Sequence, residues 1–171
     1  MDLTKFTERA RGFIQSAQTI AIRDNHQRVM PEHILKSLMD DDQGLASNLI
    51  TRSGGDAAAV RAALAQALAK LPTVQGDAQA YVDQTAVKVL TEAETIAHKA
   101  GDQFVPVERI LMALCMIKSG AKSALDAGGV TAQSLNAAIN DIRKGRTADS
   151  ATAEDGYEAL EKYARDLTAA A

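Results

Sequence analysis

Gln27-Arg-Val-Met-Pro-Glu-His-Ile-Leu-Lys-Ser-Leu38 returns 76 residues later as Gln103-Phe-Val-Pro-Val-Glu-Arg-Ile-Leu-Met-Ala-Leu114. At that offset Gln27, Val29, Glu32, Ile34, Leu35 and Leu38 fall on identical residues. Upstream, Ala17, Thr19, Ile20 and Ala21 match Ala93, Thr95, Ile96 and Ala97; downstream, Gly44, Ser47 and Leu49 match Gly120, Ser123 and Leu125. Beyond a one-residue deletion, Gly54, Val60 and Leu64 meet Gly129, Leu135 and Ile139. A repeat of this length is the signature of a duplicated supersecondary unit, and it sets the architecture before any local reading.

The unit is helical. Leu3, Phe6, Ala10, Phe13, Ala17, Ile20 and Ala21 recur at steps of three and four, which predicts a first helix over about Thr4–Asp24 with Thr4 as N-cap. Pro31 suits the first turn of a second helix, ending near Met39 and burying Ile34, Leu35 and Leu38. A short third helix carries Leu45, Leu49 and Ile50. Gly54-Gly55 stops it, and Asp56 caps a fourth helix to about Lys70. Leu71-Pro-Thr-Val-Gln-Gly-Asp77 connects the halves. The second half repeats the plan: helices over Asp83–Ala100, Pro106–Ile117, Ala121–Ala127, and one capped by Thr131 running to Lys144. Strand signals are absent. Residues 145–156 have nothing to bury and are expected to form a mobile linker. Tyr157, Leu160, Tyr163 and Leu167 then give the start of another helix, cut at Ala171. The expected fold is all-α: two four-helix repeats, about 1–70 and 80–144, related by a pseudo-twofold.

Composition agrees. Of the 171 residues 46% are hydrophobic and only 4% aromatic, with no Trp, so Ala, Leu, Ile and Val must build a close-packed helical core. Net charge is −3; residues 1–144 balance 16 basic against 16 acidic side chains, leaving 3 and 6 in 145–171. A neutral body without basic clusters argues against nucleic acid as the main partner. Cys115 alone cannot form an intrachain disulfide and fits a reducing compartment. No run nears the length of a membrane span, and the N-terminus lacks signal-peptide form, so a cytoplasmic protein is expected.

Reactive chemistry finds little support. His26, His33 and His98 lack metal-ligand spacing, and His33 and His98 are read as solvent-facing. Cys115, between Leu114 and Met116, reads as core packing rather than a nucleophile. Asp40-Asp-Asp42 reads as a solvated turn rather than a calcium loop. No Gly-x-x-x-x-Gly-Lys-Ser/Thr phosphate loop occurs. An enzyme, such as a carboxylate-based hydrolase, is the least supported class because no nucleophile–base or carboxylate pair is placed by spacing.

Met1-Asp-Leu-Thr-Lys-Phe-Thr7, Pro31-Glu-His-Ile-Leu-Lys-Ser-Leu38, the Leu71-Pro-Thr-Val-Gln-Gly76 connector, Gly101-Asp-Gln-Phe-Val105 and the Ala153–Thr168 lead-in together resemble the N-terminal, paired Clp-repeat domain of the Clp AAA+ ATPases. The connector and lead-in are more similar to the disaggregase branch than to the protease-associated branches. The resemblance implies a domain that binds unfolded or aggregated polypeptide and delivers it to an ATPase motor, hexameric in the parent and working with the DnaK system. The alternative it implies is docking of adaptor proteins, as in the protease-associated branch. ATP and Mg²⁺ would belong to later domains, with no cofactor or metal in this chain, which alone is expected to be a monomer. Carried over residue by residue, substrate contact falls on Thr7, Asp102 and Glu108, and an apolar groove on Ile96. Glu92 and Arg109 stand where the groove is often apolar, a departure that bears on its depth. Without the resemblance, Asp102 reads as a turn former and Glu108 as a first-turn acid. The two copies differ most where His26, Arg28 and Lys36 are replaced by Asp102, Phe104 and Met112, which adds Phe104 to the candidates and points to the second copy as the binding side.

Overall fold

The computed structural model describes residues 2–76 and 79–155; the expected helix from Tyr157 lies outside them. Eight α-helices follow one another among these residues: α1 Glu8–Arg23, α2 Pro31–Met39, α3 Leu45–Arg52, α4 Ala57–Ala69, α5 Gln84–Lys99, α6 Val107–Leu114, α7 Gly120–Ala127 and α8 Ala132–Arg143. The stretch that revealed the repeat becomes α2 and α6, which lie at the centre. All eight residues of α6 are buried, as are all of α2 except Lys36. A helix buried along its whole length must be surrounded, and α6 packs against α1, α2, α3, α5 and α8.

The repeats interlock. The fourth helix of each packs on the third helix of the other, α4 on α7 and α8 on α3. One continuous core results, with Phe6, Ile34, Leu35, Leu38, Leu64, Ile110, Leu111, Leu114 and Leu135 among its fully buried side chains. Close approach between copies requires glycine at Gly128. A Cβ there would stand 2.4 Å from Val60 Cγ2 and 2.8 Å from the Asp56 carbonyl, whose own N–H donates to Gly128 C=O at 2.9 Å. Gly128→Ala should therefore cost about 1–3 kcal/mol by overpacking, read as a lower denaturant midpoint at unchanged m-value.

The sequence reading is corrected in several places. Thr7, not Thr4, caps α1: its hydroxyl accepts from Ala10 N–H at 3.1 Å, while Asp2 caps a separate short 3₁₀ turn, Leu3–Lys5. α6 ends at Leu114 rather than Ile117. Strand pairing is present after all. β1 Arg28–Val29 lies parallel to β2 Tyr81–Val82, and an isolated parallel bridge joins Phe6 to Val105. These are one feature seen twice, since adding 76 carries Phe6 onto Val82 and Val29 onto Val105. Each repeat's lead-in thus pairs with a loop of the other repeat. Two-residue strands have no alternation to read, so periodicity passes over them. Finally, 145–155 does bury side chains: Ala148 and Glu154 are in the interior. What they meet is polar backbone and charge, which a hydrophobicity pattern does not register.

Candidate functional site

Two grooves of about 430 Å³ occupy equivalent places in the two repeats. The second lies between α5, α6 and α8. Ile96, Ala100, Met112, Met116 and Ala132 supply apolar surface, with Glu92, Lys99, Gln133 and Asn136 as polar neighbours. Met116 is 46% exposed. The first, by α1, α2 and α4, carries Asp24, Lys36, Asp40 and Arg61 around Met39, Leu64 and Leu68. Of the two, the second is the less charged.

Arg109 does not block this groove with charge. It is 3% exposed and turned inward, Nε donating to Asp102 Oδ2 at 3.0 Å and Nη1 to Asn136 Oδ1 at 3.3 Å. Its aliphatic stem can then line the groove as an apolar wall. Beneath the wall is a buried ion cluster. Arg143 donates to Asp102 Oδ1 at 2.7 Å and to Glu108 Oε1 at 2.8 Å; Ala148 N–H also donates to Asp102 Oδ1, at 2.9 Å. Glu154 Oε2 accepts from the Thr7 hydroxyl at 2.5 Å and from Val107 N–H at 3.1 Å.

Burial would raise the Asp102 pKa, but hydrogen bonds from Arg143, Ala148 N–H and Arg109 outweigh it and hold the carboxyl below its usual range. Glu108 goes the other way. Burial pushes it to about 7, Arg143 opposing and Glu154 adding repulsion. Glu154 is also raised by burial, against the hydrogen bonds from Thr7 and Val107. Arg143 loses hydration, but its two carboxylate partners raise it further, so it stays a cation.

Thr7, Asp102 and Glu108 thus do gather in one region, though not at a surface. At 0%, 8% and 2% exposure they face the interior, where buried charge and capping groups satisfy one another. Ile96 is half-buried and lines the groove. Phe104 is half-buried outside the groove, its N–H donating to Ala148 C=O at 2.9 Å. The sequence reading passed over Met116, Arg143 and Glu154. One signal for Arg143 was available, because it continues the inward stripe Leu135, Ile139, Ile142 and aligns with Leu68 of the first repeat.

The first repeat has its own version of the cluster. His26 and His33, the counterparts of Asp102 and Arg109, are 6% and 0% exposed, which corrects the solvent-facing reading of His33, and His26 Nδ1 lies 2.7 Å from His33 Nε2. Met30 N–H donates to His33 Nδ1 at 2.9 Å, so neutral His33 carries its proton on Nε2 and donates it to His26. Cys115 is buried, and burial, with Asp126 adding to it, pushes its thiol up to about 12. Among the described residues no group of His, Cys, Asp and Glu could hold a metal ion, and no helix is long and apolar enough to cross a membrane.

Residues 5–128 match the Clp repeat (R) N-terminal domain family. The chain belongs to that family. The Clp repeat domain is 59% identical to chaperone protein ClpB of Mesorhizobium japonicum over 99% of this chain and 20% of that protein, and 40% identical to ClpB of Rickettsia felis over 98% and 20%. It therefore spans about a fifth of the length of these relatives. Its fold matches the N-terminal domain of Hsp104 from Candida albicans with a TM-score of 0.76, at 21% identity, over 86% of this chain and 97% of that one. A ClpV N-domain in complex with VipB peptide shares the fold at a TM-score of 0.67 and 18% identity, over 86% and 92%.

Proposed function

We propose that this Clp repeat domain recognises exposed apolar segments of unfolded or aggregated polypeptide in the α5–α6–α8 groove and passes them to an ATP-driven disaggregating motor in a longer protein. One observation carries the reading: the Arg109 charge is matched inward at Asp102, so Ile96, Met112 and Met116 supply the groove's apolar surface beside Glu92 and Lys99. Methionine is unbranched and polarizable, so it adapts to varied apolar shapes. A shallow apolar groove with a polar rim suits weak binding of many sequences. The ClpV N-domain holding VipB peptide shows that a domain of this fold can take a peptide, although the likeness to it is one of fold.

In this reading ATP, Mg²⁺ and the DnaK system act on other parts of a cytoplasmic, hexameric assembly. The domain alone is a monomer that performs no chemistry. The test is titration with reduced, carboxymethylated lactalbumin, which stays unfolded. Ile96→Asp should weaken binding by about tenfold or more, because an unpaired carboxylate would be covered by the occupant. Tyr81→Ser, at a 59% exposed residue outside the groove, should leave binding as it was. Equal binding by Ile96→Asp and the unaltered domain would overturn the groove assignment. Binding confined to native proteins would turn the reading towards adaptor docking.

A further inference from the structure

Groove and exit segment are separated by a single carboxylate. Arg109, in the groove wall, donates to Asp102 Oδ2 at 3.0 Å, and the other oxygen of Asp102 accepts Ala148 N–H at 2.9 Å. Ala148 C=O in turn accepts the N–H groups of Gln103 and Phe104, at 3.0 and 2.9 Å. Farther on, Ala151 C=O accepts Glu8 N–H at 2.8 Å, and Glu154 is held by Thr7 and Val107 N–H. Apart from buried Ala148 and half-buried Ala151 and Ala153, the segment offers little apolar anchorage, since Asp149, Ser150, Thr152 and Asp155 are exposed. Polar bonds reaching the α1 start, the Asp102 loop and the α6 start keep 147–155 in place. A segment held in this way belongs to the low-stability end of a fold and can open without global unfolding.

Resting on the proposed recognition function, we infer that groove occupancy and docking of residues 147–155 are coupled through Arg109, Asp102 and Ala148, with Thr7 and Asp102 acting as positioning residues rather than substrate contacts. The physical basis is shared contact. Arg109 Nη1 reaches Met112 Sδ and Asn136 Oδ1, both in the groove, at 3.3 Å while Nε holds Asp102, so an occupant that orders Met112 and Asn136 narrows the positions open to Arg109. Asp102 is then held more firmly where it accepts Ala148 N–H, a charge-assisted bond. Binding therefore favours the docked segment. By linkage, undocking weakens binding by the same factor.

The experiment follows amide exchange at Ala148 by NMR in the full chain, with and without saturating reduced, carboxymethylated lactalbumin, while the Met112 and Met116 methyl signals report groove occupancy. Occupancy should slow Ala148 exchange by about fivefold or more. Glu154→Ala should speed that exchange and weaken probe binding by a matching factor; Glu154→Gln, which keeps an acceptor for Thr7, should do so less. Methyl shifts with unchanged Ala148 exchange would overturn the coupling and leave recognition standing. Unmoved methyl signals would remove the recognition reading and this inference with it. Faster exchange in Glu154→Ala at unaltered probe affinity would also overturn the coupling.

Discussion

Arg143→Met is expected to cost about 3–5 kcal/mol of stability, a fall in Tm of roughly 10 °C for a chain of this size. The methionine can replace the aliphatic stem but not the cation. Arg143 is 2% exposed and is shared by Asp102 and Glu108, at 2.7 and 2.8 Å. Its removal leaves Asp102 with Arg109 and Ala148 N–H, and leaves Glu108 buried without its cation. Glu108, already raised to about 7, would rise further and take up a proton, which limits the loss. The comparison is Arg52→Met, which breaks the exposed 2.8 Å pair with Asp141 and should cost under about 1 kcal/mol. Thermal unfolding of the two variants side by side decides the matter. If Arg143→Met were no more costly than Arg52→Met, the buried cluster would not be what secures α8 and the segment after it.

A fall in pH from 6.5 to 4 is expected to withdraw roughly 3 kcal/mol of stability through His33 alone. Burial, with His26 adding to it and Asp24 opposing, depresses His33 from 6.5 to about 4. Its folded pKa lies below its unfolded value, so its contribution is fully present above 6.5 and lost as pH falls towards 4. The geometry agrees, for a proton on Nδ1 would face the Met30 N–H that now donates to that atom at 2.9 Å. Glu108 has the opposite sign. Raised from 4.5 to about 7, its contribution is present below 4.5 and lost as pH rises through 7. The two offset each other in the unaltered chain. Replacement of His33 by Gln, whose amide oxygen can take the Met30 N–H, should therefore turn the profile so that stability rises as pH falls through this window. Urea midpoints measured from pH 7 to 4.5 would show it, and parallel profiles for the two proteins would count against His33 as the titrating group.

The helical part of the architecture was legible because it rests on local rules. Apolar steps of three and four, Pro31 in a first turn, and capping by Asp56 and Thr131 each act within one turn of chain, and the structure keeps all of them. Duplication strengthened the reading by repeating each signal. The first cap was misplaced from Thr7 to Thr4 because both are short hydroxyl residues ahead of the same apolar stripe, and only the 3₁₀ turn between them decides. The strand pairs were missed because they join residues such as Arg28 and Tyr81 across the two repeats.

Sequence by itself determined that this protein is a duplicated all-α domain of the Clp repeat kind, and that its two copies differ at His26/Asp102, His33/Arg109 and Leu68/Arg143. Only the tertiary structure decided what those differences do. His26 and His33 became a buried hydrogen-bonded pair, while Asp102, Arg109 and Arg143 became a buried ion cluster that matches the Arg109 charge away from one groove and fastens residues 147–155 beneath it. The reason is range. Helices follow from neighbours three and four apart, whereas a buried charge is tolerated only where partners from distant parts of the chain converge on it, and no periodicity records that meeting.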